Sequence, residues 1–298
     1  MHTTSFELPM YVPESITHPE KVMFPDDGIT KGDLAAYYAD VAAVMMPHLA
    51  GRPVTMERFH RGIGEKGFFQ KNVNRGKGTP EWLETVAVPK KEGIVNYPVL
   101  HDARGLLWIA NQNCITPHVW TSRVPELMHP DICVFDLDPL DDDRNVLRAA
   151  ALLLRDLLAE LCCKSWVKTS GSKGFHIVVP LDGKTDWTVA ARFAHAVGRE
   201  AVRRDPDHLT QEFYKADRAG RILVDTGRNE IGATYAATYA VRPKPTAPVS
   251  APCSWDELSS GEVEPRSLTL RSMPKRLATV GDLWADLHHH GCALPDPP

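Results

Sequence analysis

Residues 132–139, ICVFDLDP, combine a predicted strand with two carboxylates. The β-branched and aromatic residues predict a β-strand over 132–138. Because side chains alternate between the two faces of a strand, Asp136 and Asp138 point to the same side, about 7 Å apart. Paired carboxylates at the end of a buried strand repel each other, and burying them is costly unless a cation lies between them. The segment therefore predicts a metal site at the end of a strand.

Strands and helices alternate on the C-terminal side of this segment. The predicted elements are strands over 165–169, 175–181 and 221–225, a helix over 145–161, and a helix capped by Asp186 that continues to residue 203. Acidic residues 141–143 precede the first of these helices and suit the positive end of its dipole, so we interpret them as capping rather than catalytic. Strands interspersed with helices predict an α/β or α+β fold of mixed β-sheets flanked by helices.

The N-terminal half predicts a long helix, a strand and an extended loop. A capping threonine, Thr30, precedes apolar residues at helical spacing, which predicts a helix from Thr30 to Met46. A strand is expected after Pro53, and the glycine-rich, basic stretch 61–79 is longer than an ordinary connection, which favours a functional loop or ribbon. The proline-rich stretch 242–254 predicts an extended strap over the preceding domain.

Length and composition are typical of one soluble globular domain. We expect a single domain over 1–298, with an N-terminal lobe over 1–125, a catalytic lobe over 126–245 and a C-terminal strap and tail over 246–298. No run of about 18 apolar residues is present, and the start, MHTTSFELPM, lacks the pattern of an export signal. The expected location is therefore cytoplasmic and nucleoid-associated, without membrane contact.

Cysteines and histidines give no sign of a structural metal site. The six cysteines form no Cys-x-x-Cys pair, which argues against a zinc site or a disulfide framework. Three consecutive histidines, 288–290, and Cys292 lie near the proline-rich C-terminus. We interpret this run as a solvated tail without a role.

Positive charge is concentrated in one segment although the chain carries a net charge of −4. Between residues 52 and 77, seven basic and two acidic side chains give a local balance of +5. Such a segment can follow a phosphate backbone, although a solvated loop explains the charge equally well. The basic residues are Arg52, Arg58, Arg61, Lys66, Lys71, Arg75 and Lys77.

The sequence 170–176, SGSKGFH, joins two predicted strands and carries groups that bind anions. Its two glycines let the backbone approach an anion closely and turn N–H groups toward it, while serine, lysine and histidine supply further donors. The pattern differs from the P-loop, which places Gly-x-x-x-x-Gly-Lys-Ser/Thr before a helix. We predict a phosphate cradle; a glycine-rich hairpin with an incidental lysine is the alternative.

A third carboxylate, Asp225, ends the predicted strand RILVD. Nucleotidyl transfer uses two metal ions roughly 3.5–4 Å apart, and carboxylate oxygens are their usual ligands. Asp136, Asp138 and Asp225 are therefore the candidate metal-binding and catalytic residues. Asp-x-Asp also occurs in surface acids, calcium loops and metal-dependent glycosyltransferases. A glycosyltransferase leaves the third acid and SGSKGFH unexplained.

Four stretches, taken in order, resemble the archaeo-eukaryotic primase superfamily and, more closely, the polymerase domain of bacterial ligase D proteins of non-homologous end joining. They are FDLDP, TSGSKGFHIVVPL, RILVDTGRNEIGAT and YAVRPKPTAPVSAPCSWDEL. The resemblance covers nearly the whole chain and implies a primase-like catalytic core. It implies that Asp136, Asp138 and Asp225 are the metal-binding triad. The implied contacts to the incoming nucleoside triphosphate are Ser170, Lys173, His176, Arg242 and His118.

The same resemblance implies a DNA-binding surface in the N-terminal part. HPEKVMFPDDGITK is similar to the family's pocket for a recessed 5′-phosphate, with Lys21 and Lys31 as the matching lysines. His18 stands where asparagine is usual, which affects the expected strength or pH dependence of phosphate binding. The adjacent pair Phe68 and Phe69 matches aromatic residues that stack on template bases, although core packing is an alternative for one of them. The expected DNA-binding residues are Lys21, Lys31, Phe68, Phe69 and Arg58.

Together these features predict a template-directed repair polymerase or primase. The expected substrates are a primer 3′-end at a gap or broken DNA end and NTPs or dNTPs, and the expected cofactors are two Mn²⁺ or Mg²⁺ ions. The resemblance implies a preference for ribonucleotides and manganese. The chain is expected to be a monomeric, stand-alone polymerase domain, with Ku and a separate DNA ligase as candidate partners. A non-catalytic DNA-end-binding module is the alternative from another class; it has no need for three acids at strand ends.

Overall fold

Fourteen β-strands and seven α-helices make up the part of the chain that the computed structural model describes, residues 16–74, 76 and 78–298. The strands are β1 Val22–Phe24, β2 Ile29–Thr30, β3 Val54–Arg58, β4 Phe68–Gln70, β5 Glu84–Pro89, β6 Ile94–Val99, β7 Cys114–Val119, β8 Ile132–Asp138, β9 Trp166–Thr169, β10 Phe175–Pro180, β11 Leu209–Thr210, β12 Ile222–Asp225, β13 Tyr235–Ala236 and β14 Pro252–Cys253. The helices are α1 Lys31–Asp40, α2 Ala42–Leu49, α3 Ala103–Asn111, α4 Arg144–Glu160, α5 Trp187–Arg204, α6 Trp255–Ser260 and α7 Met273–Val280. The predicted α/β fold with mixed sheets is confirmed.

A six-stranded sheet with the order β11-β12-β8-β10-β9-β14 contains the four strands predicted in the C-terminal half. Its pairings are antiparallel except that of β11 with β12. On β8, Phe135 and Leu137 share a core with α4 and α5. Val134 points to the opposite face and belongs to a second core, which includes residues of the other large sheet. Asp136 and Asp138 lie on the same face as Val134, so they open toward the region between the two sheets.

The second large sheet has the order β13-β7-β3-β4 and packs against α1 and α3. Two buried tyrosines of α1 join it to distant parts of the chain: Tyr38 Oη donates to Ile115 O at 2.6 Å, and Tyr37 Oη donates to Tyr239 O at 2.8 Å. Strands β5 and β6 form a separate antiparallel hairpin. No helix in the described ranges is both long and apolar enough to cross a membrane.

The predicted continuous helix from Thr30 to Met46 is wrong, because the chain forms two helices that meet at Val41. Thr30 caps α1 as predicted: its hydroxyl accepts from Asp33 N, and the Asp33 carboxylate accepts from Thr30 N. Val41 adopts φ −92° and ψ 0° and is both the C-cap of α1 and the N-cap of α2. Met45 of α2 is buried in the same core as α1. The predicted caps of α4 and α5, Asp143 and Asp186, are confirmed.

The prediction of an extended strap over 242–254 is wrong for its first half, because residues 242–247 form a turn that brings Arg242 N to Pro248 O at 2.7 Å. The chain is extended from 248 onward, and the segment is largely buried rather than lying on the surface. Val249, Ser250 and Ala251 have no exposed surface, and β14 forms the edge of the six-stranded sheet by pairing with β9. A β-bridge joins Val241 to Val249. The strap is therefore part of both cores rather than a cover over them.

His288, His289 and His290 are exposed, as expected of a solvated run, but the segment that carries them is held against the protein and is not a free tail. Trp284 and Leu287, which precede the histidines, are buried in the core, and their burial holds the segment against the protein. The His288 ring lies 5.5 Å from the His48 ring, measured between centroids. Cys292 N donates to Pro180 O at the end of β10. Trp284 and Leu287, and not the histidines, attach the segment to the core.

Candidate active site

Three neighbouring strands bring the predicted acidic residues together. β8 lies between β12 and β10, and the register sets Asp225 opposite Asp136 on one side and His176 opposite Asp136 on the other. Residues directly opposite each other in a sheet share a face, so these three side chains form a row across the sheet. Asp138 lies two residues further along β8, opposite Leu223. The sheet therefore gathers the two acids of β8 and the terminal acid of β12 at one place.

Two arginines face these carboxylates. Arg228 Nε lies 3.2 Å from Asp136 Oδ2, and Arg228 Nη2 lies 2.9 Å from Asp225 Oδ2. Arg218 Nη1 lies 3.0 Å from Asp138 Oδ2. Burial raises the pKa of Asp136 to about 6; Arg228 lowers this pKa, while Asp225 and Asp138 raise it further. The sequence analysis missed both arginines, although Arg228 follows Asp225 by only three residues.

The donor chemistry at the acids fits divalent cations. Carboxylate oxygens are the ligands that Mg²⁺ and Mn²⁺ prefer, and the register of the sheet brings three carboxylates together here. Among residues 16–74, 76 and 78–298, no three carboxylate, imidazole or thiol side chains already stand in a metal-binding arrangement. Arg228 pairs with the Oδ2 atoms of Asp136 and Asp225, so a cation that uses these oxygens would have to displace its guanidinium.

The turn between β9 and β10 lies beside the acids. Gly174 approaches β8 so closely that a Cβ there would lie 1.7 Å from Leu137 O. The turn differs from the expectation that its backbone amides face an anion. Ser172 N and Gly174 N both donate to Ser170 Oγ, each at 3.1 Å, so the serine hydroxyl occupies them. Lys173 Nζ donates to Leu140 O at 2.9 Å, beyond the end of β8.

A cavity of about 190 Å³ lies between the turn and the acids. Two nitrogen atoms of its lining residues are buried without a hydrogen-bond partner: Arg242 Nε, which is a donor, and His176 Nδ1. Burial lowers the pKa of His176 well below its usual range, so the ring is neutral, and its other nitrogen, Nε2, lies 3.5 Å from Asp136 Oδ1. An unpartnered buried donor is costly, and an anionic ligand would satisfy the Nε of Arg242. The polar side chains that line the cavity are Asp136, Asp138, Ser170, Ser172, Lys173, His176, Arg228 and Arg242.

His118 lies on β7 of the second sheet, outside the lining of this cavity. Its Nε2 is 3.0 Å from Glu57 Oε2, and its ring meets that of Phe69 edge to face at 5.3 Å. Burial lowers the pKa of His118, the hydrogen bond with Glu57 raises it, and the positive charge of Arg242 lowers it further. Glu57 is a third residue that was not predicted from the sequence, since no local pattern links it to His118.

The two lysines of the predicted phosphate pocket lie next to each other. Lys31 N donates to Lys21 O, and Lys31 is 3% exposed. Lys31 Nζ donates to Thr17 O at 2.6 Å and to Thr17 Oγ1 at 3.2 Å, which leaves one of its three donors free. Lys21 Nζ lies 3.4 Å from Asn113 Oδ1. His18 has φ +52°, a left-handed backbone that asparagine tolerates better than most residues.

Phe68 and Phe69 are both exposed, so neither is a core residue. They lie on β4, an edge strand. Arg58 Nε donates to Gln112 O at 2.6 Å, and its guanidinium lies over the Phe68 ring at 5.5 Å. Arg58 therefore supports Phe68 rather than standing free in solvent. Two residues of the basic segment, Arg75 and Lys77, lie outside the described residues.

A central strand with two acids, a partner strand that ends in a third, and a cationic cavity beside them define a nucleotidyltransferase of the primase-polymerase class. The chain belongs to the LigD primase-polymerase domain family: the model of "LigD, primase-polymerase domain" matches residues 30–284. The resemblance to the ligase D polymerase domain is thereby confirmed. Family membership is incompatible with the glycosyltransferase alternative.

Relatives and a solved structure agree with this assignment. The "Multifunctional non-homologous end joining protein LigD" of Mycolicibacterium smegmatis is 34% identical over 275 residues, which is 91% of this chain and 36% of the relative. The protein of the same name from Pseudomonas aeruginosa is 34% identical and covers 91% of this chain. The structure "Polymerase Domain from Mycobacterium tuberculosis Ligase D in complex with DNA" matches with a TM-score of 0.86 at 34% identity, covering 95% of this chain and 98% of that one. The chain spans about a third of the length of the curated relatives.

Proposed function

We propose that this chain is a template-directed repair polymerase that adds nucleotides to a primer 3′-end at short gaps or broken DNA ends. The observation that carries the proposal is the register of β12 with β8, which sets Asp225 opposite Asp136. Asp138 and a cavity with an unpartnered nitrogen donor lie beside them. Membership of the primase-polymerase family supports the reaction class, and the similar mycobacterial domain was solved with DNA.

Asp136, Asp138 and Asp225 are the residues that would hold two divalent cations, Mn²⁺ or Mg²⁺. Bound cations at such a site activate the attacking 3′-hydroxyl and neutralise the departing pyrophosphate. Cations that use the Oδ2 atoms of Asp136 and Asp225 would displace Arg228, which pairs with both of these oxygens.

The triphosphate of an NTP or dNTP binds in the cavity, held by Ser170, Lys173, His176 and Arg242, with His118 nearby. The Nε of Arg242 supplies a donor that lacks a partner within the protein, together with a positive charge. His176 is neutral, so its ring donates to a phosphate oxygen only in the tautomer that carries its proton on the nitrogen facing the cavity. Fixed donors of this kind stabilise the charge that develops during transfer. A ribonucleotide and manganese preference follows from the family resemblance.

DNA binds across the N-terminal lobe, 1–125, to the side of the catalytic lobe, 126–245, with the strap and tail, 246–298, completing the domain. Lys21 and Lys31 bind a downstream 5′-phosphate, and Phe68 and Phe69, supported by Arg58, stack on template bases. The proposed setting is the end-joining pathway of the relatives, with Ku and a DNA ligase as partners. The proposed form is a monomer in the cytoplasm, at the nucleoid.

The remaining alternative is a DNA-end-binding module without catalysis. We would replace Asp136 and Asp138 by asparagine and measure primer extension and DNA binding on a gapped duplex. Extension should fall by at least about a hundredfold, while the dissociation constant for DNA stays the same, because the carboxylates act on the cations. The matched control is Asp141→Asn with Asp142→Asn, which removes the same charge from exposed positions. No extension by the unmodified protein, with either metal and any nucleotide, sinks the proposal.

A further inference from the structure

Phe213 and Tyr214 are the two most exposed large hydrophobic side chains in the part of the chain that the structure describes, at 69% and 71%. Their rings meet edge to face with centroids 5.6 Å apart. They lie in the loop 211–221 that joins β11 to β12, and all of 212–217 is exposed. Large apolar side chains exposed together on a soluble protein mark a binding surface. None of the residues predicted from the sequence accounts for this pair.

The loop is fastened to the active site by one buried side chain. Arg218 is 3% exposed, and its guanidinium donates to Glu212 O at 3.1 Å, Phe213 O at 2.9 Å and Asp138 O at 3.3 Å. The same group forms the ion pair with Asp138 Oδ2 at 3.0 Å. A single guanidinium therefore binds both the backbone of Phe213 and a catalytic carboxylate. The aromatic pair is held at a fixed distance from the reaction centre.

The strand order places this loop across β8 from the β9–β10 turn. β10 and its turn, with Lys173, lie on one side of β8, whereas β12 and β11, with the loop, lie on the other. In nucleotidyl transfer the attacking oxygen and the leaving pyrophosphate are in line on opposite sides of the phosphorus. With the leaving pyrophosphate held at the β9–β10 turn, this order favours approach of the primer 3′-hydroxyl from the β12 side. The last bases of the primer then lie close to loop 211–221.

We propose that Phe213 and Tyr214 form a stacking site for the nucleobases at the 3′-end of the primer strand. The inference rests on the proposed polymerase function and is separate from the template contact of Phe68 and Phe69, which lie on the other sheet. Aromatic rings stack on any base, so the site suits a primer of any sequence. Lys215, exposed in the same loop, supplies a positive charge for the adjoining phosphate. The catalytic acids then lie between two aromatic surfaces, one for each DNA strand.

The test is equilibrium binding without chemistry. A primer–template with 2-aminopurine as the primer 3′-terminal base is titrated with protein in the presence of EDTA, and the same template strand without primer serves as the second ligand. Phe213→Ala with Tyr214→Ala should weaken primer–template binding at least about fivefold and relieve the quenching of 2-aminopurine. Phe213→Tyr with Tyr214→Phe keeps both rings and should behave as the unmodified protein. Val189→Ala, an exposed apolar change on α5, controls for loss of surface area.

Two results would overturn the inference. Unchanged affinity and unchanged quenching in the double alanine variant would leave the pair to another ligand, such as a protein. Equal weakening on the template with and without primer would show a contact that does not involve the primer. Failure of the polymerase proposal is distinguishable, because then the unmodified protein itself neither extends the primer nor responds to the primer end. If the double alanine variant unfolds at the same temperature as the unmodified protein, misfolding is excluded as the cause.

Discussion

Lys31 is an almost fully buried ammonium group whose charge depends on pH in the working range. Burial and, after it, the positive charge of Lys21 lower the pKa of Lys31 to about 8. The charged form, which binds phosphate, is therefore present at pH 7 and lost as pH rises through about 8. A terminal phosphate has its second pKa near about 6, so its own charge is constant over this interval.

We therefore expect the preference for 5′-phosphorylated over 5′-hydroxyl gapped DNA to be strong at pH 7 and to decline by pH 9. The measurement is the ratio of the two dissociation constants at pH 7, 8 and 9. Lys31→Met should remove the preference at every pH. A preference that is constant from pH 7 to 9 in the unmodified protein would contradict the assignment of Lys31 to the phosphate. The charge of a bound phosphate raises the pKa of Lys31, so the decline is expected toward the upper end of the interval.

Asp131 is the counter-charge for two arginines, Arg52 and Arg123. Arg52 Nη2 donates to Asp131 Oδ2 at 2.8 Å and Arg123 Nε donates to the same oxygen at 2.7 Å, and Arg52 has no exposed surface. Burial by itself would raise the pKa of Asp131, but the two guanidinium groups lower it to about 2. A carboxylate with a depressed pKa stabilises the fold above its unfolded pKa, about 3.9, and this contribution is lost as pH falls through the folded pKa.

Asp131→Asn should lower the free energy of unfolding by about 3 kcal/mol at pH 7, because it leaves the Arg52 charge buried without a counter-charge. The difference between variant and unmodified protein should shrink as pH falls from about 4 toward 2. Urea unfolding at pH 7, 5, 4 and 3 measures it. Asp156→Asn, an exposed acid on α4, is the control and should change stability by no more than about 0.5 kcal/mol. A difference that does not depend on pH would show that charge is not the cause.

At the scale of elements, the β9–β10 turn depends on two glycines for different reasons, and the sequence pattern does not distinguish them. Gly171 has φ +64°, the usual reason for glycine in a turn. Gly174 is required for a different reason, since a methyl group there would overlap the Leu137 carbonyl between the two acids of β8. The close approach lets β10 pair with β8 and aligns His176 with Asp136.

Gly174→Ala should therefore separate β10 from β8, destabilise the protein by about 1–3 kcal/mol and abolish nucleotide binding in the cavity. Thermal unfolding and calorimetric titration with a nucleoside triphosphate measure the two effects. The control is Gly64→Ala, where the nearest atom to an added Cβ is Pro25 Cγ at 3.7 Å. Nucleotide binding at unmodified strength in the Gly174 variant would refute the cavity as the triphosphate site.

The elements that the sequence predicted are those with a local cause. β8, β12, α4 and α5 follow from apolar runs, caps and periodicity within their own residues. Lys168 shows what lies beyond this reasoning: it occurs in a strand-like stretch, yet it is fully buried and donates to Ala236 O at 2.8 Å, nearly seventy residues away. The break at Val41 and the pairing of Glu57 with His118 likewise depend on distant packing. Of the site, the acids and the turn were predictable, whereas Arg218 and Arg228 required the register.

At the scale of the molecule, one apolar core joins the two large sheets to the C-terminal segment. It contains Val134 and Val178 of the six-stranded sheet, Val54 of the other sheet, and Trp284. Asp282, two residues before Trp284, accepts from Tyr239 Oη at 2.6 Å and lies 3.1 Å from His48 Nε2. The segment thus links Tyr239, α2 and the core. We propose from this continuity that the lobes unfold together rather than as separate domains.

Trp284→Ala tests the cooperation between these parts. Trp284 is 2% exposed, its Nε1 donates to Val167 O at 3.2 Å on β9, and its ring meets that of His48 edge to face at 5.8 Å. Loss of a buried tryptophan costs about 3–5 kcal/mol, so the urea midpoint should fall markedly while unfolding remains one transition. Val280→Ala, 42% exposed, is the matched control and should leave the midpoint unchanged. Two separate transitions in the variant, one for each sheet, would show that the C-terminal segment is a clasp between independent domains. A single folding unit must lose stability in both sheets when this shared side chain is removed. An unchanged midpoint would therefore show that the segment contributes nothing to the stability of the fold.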